Sequence, residues 1–203
     1  MLSSLTATGH AEPSLDPLTE ERLGSAVPSS ERPNLWVPSL HAVGLMTVMR
    51  TSEALIWPEP FADFRPKVMA RGYRNAFTRP PKWDGSRSAF EWDGDNWYLN
   101  SVGHGLFGSE LYLRARMCKL GPASALLFTA SASAVWEYGF EATHVQPSAL
   151  DLVYTPAAGI IFGEFRYQLW HISRTVDDPR WRTALGFMLD PLGSFERLAG
   201  APC

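Results

Sequence analysis

The sequence predicts an all-α protein: a multi-helix bundle with a Trp-rich loop and a disordered N-terminal leader. Between residues 38 and 200, apolar residues recur at helical spacing in one segment after another. Proline, glycine and aspartate stand where these segments begin and end. No segment shows the alternation of apolar and polar residues that is typical of a strand. These three observations favour helices that pack on one another rather than on a sheet.

The chain divides into a leader and one domain. Its 203 residues suffice for one large domain with tails. Residues 1–34 are rich in Ser, Pro, Glu and Thr and poor in large apolar residues, so we predict a mobile leader there. Residues 35–200 are predicted to form the helical domain. The first residues lack the basic region and the long apolar run of a signal peptide.

Composition limits the classes of function. The formal net charge is -3 at pH 7, whereas a nucleic-acid-binding protein shows a basic face, so no nucleic-acid partner is expected. Cys118 and Cys203 are too few and too awkwardly placed for a disulfide framework or a thiolate metal site. Eight tryptophans and eleven phenylalanines suit an interfacial surface, although a rich core would explain them too. Every long apolar segment is interrupted, so the sequence allows membrane contact but predicts no spanning helix.

Helix-breaking residues define the elements in order. The predicted helices cover residues 38–57, 65–77, 96–119, 122–144, 148–171, 178–189 and 190–200. Pro58 and Pro60 stop the first of them, and Gly121 with Pro122 closes the third. Pro156 lies inside the fifth helix and should kink it or divide it in two. Glycines inside the third helix cost about 1 kcal/mol each relative to Ala, which indicates close approach of a neighbouring helix.

Residues 78–97 are predicted to be a loop that packs against the bundle. Prolines, glycines and aspartates are frequent in this segment, which favours turns. Trp83, Trp92 and Trp97 give the loop a large apolar surface. We interpret it as a lid that seals the bundle rather than as an aromatic cage for a cation.

The segment Leu126–His144 is predicted to be the central helix. Its polar residues form one line along one face, at steps of four: Thr129, Ser133, Glu137 and Glu141. A carboxylate on a buried helix must be paired, hydrogen-bonded, protonated or bound to a metal. The chain has no Lys or Arg between Lys119 and Arg166, so the partners of these carboxylates must come from elsewhere in the fold.

If three of the predicted helices pack as neighbours, their titratable side chains converge. The candidate catalytic residues are His104, Glu137, Glu141 and Asp151. The candidate binding residues are Asn100, Ser133, Thr155, Glu164, Trp97 and Trp136. Asp151 also has a local role, because Ser148-x-x-Asp151 has the form of a helix-opening capping box. We expect His41, His144 and His171 to be exposed or hydrogen-bonded side chains.

The constellation has a functional and a structural interpretation. A histidine with several carboxylates can bind a divalent metal, or can act as a general acid–base group whose ring a carboxylate orients. No His-x-x-x-His or Glu-x-x-His pair strengthens the metal interpretation, so the sequence establishes no cofactor. Alternatively, a buried Glu accepts hydrogen bonds from His104, Asn100 or an Arg near Arg114, and so only fixes the packing of the helices.

Three blocks of sequence resemble one bacterial family. They are Pro80-Pro-Lys-Trp-Asp84 with Asp95-x-Trp97-x-x-Asn100-x-x-x-His104, then Ser133-x-x-Trp136-Glu-Tyr138-x-x-Glu141, then Pro147-Ser-x-x-Asp151-x-x-x-Thr155-Pro-x-x-Gly159-x-x-x-Gly163-Glu164. This pattern resembles the bacterial domain of unknown function 3943 family, closely over residues 82–164 and loosely as far as residue 200. The order of these residues is also similar, more weakly, to VanZ-like and YfiM-like envelope proteins.

The resemblance implies an exported, envelope-associated helical domain, with membrane lipid or an outer-membrane protein as its partner. The family brings no established activity. Together with the residues, it predicts an acid–base or metal-assisted site that acts on a lipid or cell-wall intermediate. The alternative is a non-enzymatic scaffold or interaction domain whose polar cluster only fixes helix packing. A third hypothesis is a membrane-surface anchor that uses the Trp-rich loop.

Overall fold

The computed structural model describes residues 33–200 and Cys203. Within this part of the chain every regular element is a helix, which confirms the predicted all-α class. The predicted helices match the observed ones to within a few residues at each end. The predicted leader, residues 1–34, lies outside the described residues except for its last two.

The described residues contain eight α-helices of two turns or more. They are α1 (Trp36–Ile56), α2 (Pro66–Thr78), α3 (His104–Met117), α4 (Pro122–Val135), α5 (Ala149–Ala158), α6 (Glu164–Ser173), α7 (Pro179–Leu189) and α8 (Pro191–Leu198). A one-turn helix, Pro58–Phe61, follows α1. Prolines at the first positions of α2, α4, α7 and α8 explain these starts, because an N-terminal residue needs no backbone N–H.

Three wider turns of π-helix extend these helices. Leu99–Gly103 leads into α3, Trp136–Phe140 continues α4, and Gly159–Gly163 joins α5 to α6. A 3₁₀ turn, Glu141–Thr143, follows the second of these π turns. We call the continuous helical segment 122–143 the α4 rod. The sequence predicted that Pro156 would kink or divide the fifth helix; the chain forms two α-helices there, α5 and α6, and the π turn between them begins at Gly159, after Pro156.

Helix α3 is the most deeply buried element, rather than the segment 126–144 that the sequence singled out. All side chains from Phe107 to Ala115 are buried. A Cβ atom on Gly108 would lie 2.0 Å from the carbonyl oxygen of Thr155, so only glycine lets α5 approach this closely. The expected reason for the glycines of this helix is therefore confirmed at Gly108. A core that includes Met46, Phe107 and Trp136 fills the space between α1, α3 and the α4 rod.

A network of charged side chains attaches the C-terminal helices to the bundle. The guanidinium of Arg114 on α3 lies 2.8 Å from the carboxylate of Asp190, which is fully buried. Asp190 also caps α8, because its Oδ1 accepts a 3.0 Å hydrogen bond from the N–H of Gly193. Arg166 on α6 donates to Glu110 on α3 at 2.8 Å. These buried ion pairs compensate one another's loss of hydration.

The histidines outside the candidate site behave as predicted. The side chain of His41 on α1 is 5% exposed, and its Nδ1 lies 2.5 Å from the carboxylate of Glu196. His144 bonds to the guanidinium of Arg50 at 2.7 Å, and His171 is exposed. Two of these histidines are thus hydrogen-bonded and the third is exposed, as predicted, and none of them extends the candidate site.

The two cysteines form a pair that the sequence did not predict. A disulfide joins Cys118, which follows α3, to Cys203. The residues are 85 positions apart and meet only because the folded chain brings them together.

Among the described helices, none has both the length and the apolar character that crossing a membrane requires.

Candidate functional site

A buried polar cluster lies where α3, the α4 rod and the start of α5 meet the Trp-rich loop. Its members are Asp93, Asn100, His104, Ser133, Glu137, Ser148, Asp151 and Thr155. All eight side chains are buried, and neither Lys nor Arg is among them. The cluster therefore concentrates three carboxyl groups and one imidazole in the apolar interior, where a charge is costly unless it is compensated.

The start of α5 positions the centre of the cluster. The hydroxyl of Ser148 accepts a 3.1 Å hydrogen bond from the N–H of Asp151, as the predicted capping box requires. In a complete capping box the carboxyl group of Asp151 would in turn accept the N–H of Ser148. Here Glu137 Oε2 accepts that N–H instead, at 2.7 Å. The carboxyl group of Asp151 is consequently available to the cluster.

The Trp-rich loop brings Asp93 into the interior. Trp83 and Trp92 pack with ring centroids 4.7 Å apart, and Phe90 meets Tyr154 of α5 edge-on at 5.1 Å. This packing confirms the prediction that the loop contacts the bundle. It leaves Asp93 only 3% exposed, although the residue belongs to a loop.

Asp93 accepts several hydrogen bonds within the cluster. Ser148 Oγ and Asn100 Nδ2 donate to its two oxygens, each at 2.7 Å, and the N–H of Asp95 donates at 3.0 Å. Burial alone would raise the pKa of Asp93, but the hydrogen bonds from Ser148, Asp95 and Asn100 outweigh it and lower the pKa. Asp93 is therefore the ionised member of the cluster at neutral pH.

His104 faces the start of α5. Its Nδ1 shares a 3.0 Å hydrogen bond with Thr155 Oγ1 and lies 3.6 Å from Asp151 Oδ1. Burial lowers the pKa of His104 to about 4, and the charge of Asp93 opposes this effect only partly. The imidazole is therefore neutral at pH 7, the form in which it can accept a proton or bind a metal.

The two carboxyl groups opposite Asp93 favour the protonated form. Burial raises the pKa of Glu137 to about 8, and the backbone hydrogen bond from Ser148 counteracts only part of that effect. Burial and the neighbouring Glu137 raise the pKa of Asp151 to about 9. The neighbouring carboxylate of Asp93 also raises the pKa of Asp151. One ionised and two neutral carboxyl groups thus share a small volume.

Two oxygens in this volume lack a hydrogen-bond partner. Glu137 Oε1 and Asp151 Oδ1 are fully buried and accept no hydrogen bond. Ligand atoms of His104, Glu137 and Asp151 all lie within 4.8 Å of one another. A nitrogen and two carboxylate oxygens at this spacing can coordinate one divalent cation, whose charge would favour ionised carboxylates.

A cavity of about 250 Å³ adjoins the cluster. His104 and Asn100 contribute to its wall from the cluster, and Glu141 contributes from the α4 rod. Burial, and then the charge of Glu137, raise the pKa of Glu141 well above its ordinary value. Glu141 thus lies beside the cavity rather than among the three convergent ligand atoms.

The other predicted site residues fall into two groups. Ser133 and Thr155 lie in the cluster; Ser133 Oγ donates a 3.1 Å hydrogen bond to the carbonyl of Asp151. Trp136 is buried and lines the cavity. Glu164 lies apart from the cluster, where it accepts a 2.8 Å hydrogen bond from Arg116, and Trp97 is 57% exposed. These last two residues do not take part in the convergence.

Sequence reasoning missed three acidic residues that matter here. Asp93 belongs to the cluster, and Glu53 and Asp95 line the cavity. The repeated Trp-Asp pair of the loop, Trp83-Asp84 and Trp92-Asp93, was visible in the sequence and contains Asp93. Glu53 lies on α1, far from the other site residues along the chain, and no local pattern distinguishes it.

The arrangement supports proton transfer and cation binding. The neutral His104, which lines the cavity, can accept a proton, and the protonated Asp151 within the cluster can supply one. Because these groups have pKa values displaced in opposite directions, they divide naturally into a base and an acid. With a bound divalent metal, the same residues would be ligands, and the metal would polarise an oxygen of a substrate.

Comparison with known proteins places the chain in a family. A model of the family described as Domain of unknown function (DUF3943) matches residues 89–192, slightly more than half of the chain. All eight residues of the polar cluster lie within the matched region. No curated protein and no solved structure matches the chain. The chain therefore belongs to the family of the domain of unknown function DUF3943.

Proposed function

We propose that the domain binds a divalent transition metal, such as Mn²⁺ or Zn²⁺, through His104, Glu137 and Asp151. The observation that supports this most is the pair of buried, unpartnered oxygens, Glu137 Oε1 and Asp151 Oδ1. Leaving a buried polar atom without a hydrogen-bond partner costs about 1–3 kcal/mol, and more for a charged group. This cost indicates that the two oxygens have a role other than stabilising the fold. A cation between the three side chains satisfies both oxygens.

The metal serves a metal-assisted acid–base reaction on a lipid or cell-wall intermediate. Three protein ligands leave coordination positions for water or substrate, as in hydrolytic metal sites. The neighbouring cavity gives a small substrate group access to His104. A scaffold whose polar cluster only fixes helix packing would need no such opening. The cavity therefore favours the enzymatic function over the scaffold function.

The domain acts at the cell envelope. Disulfides persist in oxidising compartments such as the bacterial periplasm, and the bond between Cys118 and Cys203 suits that location. Large apolar side chains are also exposed on several helices, including Leu55 (76%), Val153 (70%) and Met188 (75%). Exposed apolar surface of this kind is typical of contact with a membrane or with a membrane protein. Membrane lipid and an outer-membrane protein remain the proposed partners.

Metal binding can be tested by titration calorimetry of the full chain after treatment with a chelator. We expect Mn²⁺ or Zn²⁺ to bind at one site and to release about two protons per metal at pH 7, because Glu137 and Asp151 must ionise to coordinate it. Repeating the titration in buffers of different protonation enthalpy measures the released protons.

Variants make this test specific. Asp151→Asn and Glu137→Gln should each weaken binding at least about tenfold, as loss of a ligand predicts. Asp177→Asn makes the same change of charge at an exposed position and should leave binding unchanged. Circular dichroism of each variant verifies its fold. Absence of binding to the wild-type chain, or binding that neither ligand variant weakens, would refute the proposed metal site.

A further inference from the structure

The cavity beside the polar cluster has an acidic wall. Glu53 on α1, Asp95 in the Trp-rich loop and Glu141 in the α4 rod line it, together with apolar and aromatic residues. Neither Lys nor Arg belongs to its lining. Two cations outside the lining act on these acidic groups: the guanidinium of Arg50 is 3.4 Å from Glu53, and Lys82 lowers the pKa of Asp95, although burial and the charge of Asp93 raise it more. The acidic groups that line the cavity therefore outnumber these cations.

Aromatic rings form much of the remaining wall. Trp57, Phe61, Tyr98 and Trp136 all line the cavity. Trp57 and Tyr98 are 43% and 44% exposed, so the cavity reaches the surface between partly exposed rings. Aromatic faces attract a cation through their negative electrostatic potential, and they stabilise alkylated ammonium groups in particular.

Two buried polar atoms of residues in the cavity wall have no hydrogen-bond partner. Asn100 and Trp136 are each only 1% exposed, yet Asn100 Oδ1 accepts no hydrogen bond and Trp136 Nε1 donates none. The first atom requires a donor and the second requires an acceptor. A ligand that satisfies both bears an N–H or O–H group and an acceptor oxygen. Amino alcohols and their phosphate esters combine these groups with a positive charge.

The carboxylates of the wall suit an organic cation better than a second metal ion. Glu53, Asp95 and Glu141 do not belong to the set of side chains whose ligand atoms lie within 4.8 Å of one another. A metal ion needs ligand atoms at such short separations, whereas an ammonium group spreads its charge over several methylene or methyl groups. The volume of about 250 Å³ accommodates a headgroup of this size.

Apolar residues at the mouth extend the site towards an amphiphile. Leu55 and Ile56 precede Trp57 on the chain and are 76% and 62% exposed, and Trp97 beside Tyr98 is 57% exposed. These side chains offer a surface for an acyl chain or for the apolar part of a membrane. A headgroup in the cavity and an apolar tail along this surface would use both features.

We propose that the cavity binds the ammonium group of an amino alcohol, either free or as the headgroup of a lipid. Glu53 and Asp95 neutralise its charge, and Trp57 and Trp136 contact it. This inference rests on the proposed function and names the class of its substrate: an amine-bearing amphiphile whose ester or hydroxyl oxygen lies towards His104 and the metal.

The test compares a charged ligand with a neutral ligand of the same shape. Titration of the full chain with choline and with ethanolamine, in the presence of a chelator, should show binding. 3,3-Dimethylbutan-1-ol replaces the nitrogen of choline by carbon, and it should bind at least about tenfold more weakly. Glu53→Gln combined with Asp95→Asn should weaken choline binding by a similar factor, while Asp177→Asn should not change it. Equal binding of choline and its neutral analogue would overturn the proposal.

A second experiment distinguishes the sources of the ammonium group. Cosedimentation of the chain with vesicles of phosphatidylethanolamine is compared with its cosedimentation with vesicles of phosphatidylglycerol. The variant that combines Glu53→Gln with Asp95→Asn and the control Asp177→Asn are measured in the same way. Binding to the amine-bearing vesicles that depends on Glu53 and Asp95, without binding of free amines, assigns the site to lipid headgroups. Absence of binding in both formats overturns the proposal. The tests of ammonium binding all contain a chelator, so they do not depend on metal binding. If the chain binds metal in the calorimetric titration but binds no ammonium group, this inference alone is refuted. If it binds an ammonium group but no metal, the metal site alone is refuted.

Discussion

The backbone N–H of Ser148 donates a 2.7 Å hydrogen bond to Glu137 Oε2 and so connects the start of α5 to the α4 rod. The N–H groups of a helix start carry partial positive charge and stabilise a carboxylate that accepts from them. Yet burial still raises the pKa of Glu137 to about 8. One hydrogen bond orients the side chain without compensating its charge, and the other oxygen of Glu137 has no partner.

Glu137→Gln should leave the free energy of unfolding at neutral pH unchanged or raise it, when the protein is free of metal. Gln keeps the acceptor for Ser148 and removes a group that is mostly protonated at pH 7. Glu110→Gln is the matched control: it removes a charge that Arg166 pairs at 2.8 Å, and it should cost about 3 kcal/mol. Urea unfolding of both variants measures these differences. A loss of about 3 kcal/mol for Glu137→Gln would show that its charge belongs to a paired structural network.

The stability of the metal-free protein should fall as pH rises from about 6.5 to about 9. The pKa values of Glu137 and Asp151 are raised in the folded state, so folding favours their protonated forms and this advantage is lost as pH rises through about 8 and 9. His104 has a lowered pKa of about 4 against an ordinary value of 6.5, so most of its opposite effect occurs below this window. Between these pH values, Glu137→Gln should lose about 2 kcal/mol less stability than the wild type. Equal pH dependence in the variant and the wild type would contradict the raised pKa of Glu137.

Gly108→Ala should destabilise the fold by about 3 kcal/mol. The added Cβ would lie 2.0 Å from the carbonyl oxygen of Thr155, and backbone cannot move away as a flexible side chain can. Gly44→Ala on α1 is the control, because nothing lies within 4 Å of its Cβ and Ala stabilises a helix by up to about 1 kcal/mol. Thermal unfolding should therefore shift in opposite directions for the two variants. Equal shifts would show that α5 does not contact α3 closely at Gly108.

Asp190→Asn should cost about 3 kcal/mol, since it removes the carboxylate that lies 2.8 Å from the buried guanidinium of Arg114, which keeps Glu196 at 3.2 Å. The exposed Asp177 provides the comparison: Asp177→Asn should change the free energy of unfolding by less than about 0.5 kcal/mol. Urea denaturation followed by circular dichroism gives both values. A loss as small as that of the control would mean that the charged network contributes little to holding α8.

Cys203→Ser should lower the free energy of unfolding by about 2–4 kcal/mol under oxidising conditions. The disulfide to Cys118 closes a loop of 85 positions and therefore restricts the unfolded chain. In a reducing buffer the variant and the wild type should unfold at the same temperature. A free-thiol assay on the unfolded wild-type protein provides a direct check, because two reactive thiols without reductant would exclude the bond.

Local signals in the sequence were sufficient for the helices. Proline starts, aspartate caps and helical periodicity depend on neighbours within one or two turns, so they predicted α7 and α8 with Asp178 and Asp190 at their starts. The convergence of His104, Glu137 and Asp151 was also predicted, because each lies on the polar side of an otherwise apolar helix.

The position of Glu141 shows where local periodicity fails. A step of four residues places Glu137 and Glu141 on one line only while the helix keeps 3.6 residues per turn. The π turn Trp136–Phe140 winds more widely, so Glu141 leaves that line and reaches the cavity. Asp93 and Glu53 were missed for a different reason: the packing of a loop and of a distant helix brings them to the site, and no pattern of spacing records such contacts.

Part of the cavity wall comes from outside the region that the family model matches. Every cluster residue lies within the matched region 89–192, whereas Glu53 and Trp57 precede it. Under the proposed function, α1 and the turn after it therefore contribute to the choice of ligand but not to the groups that would act on it. Substitutions at these positions would change which molecule the cavity accepts and leave His104, Glu137 and Asp151 unchanged.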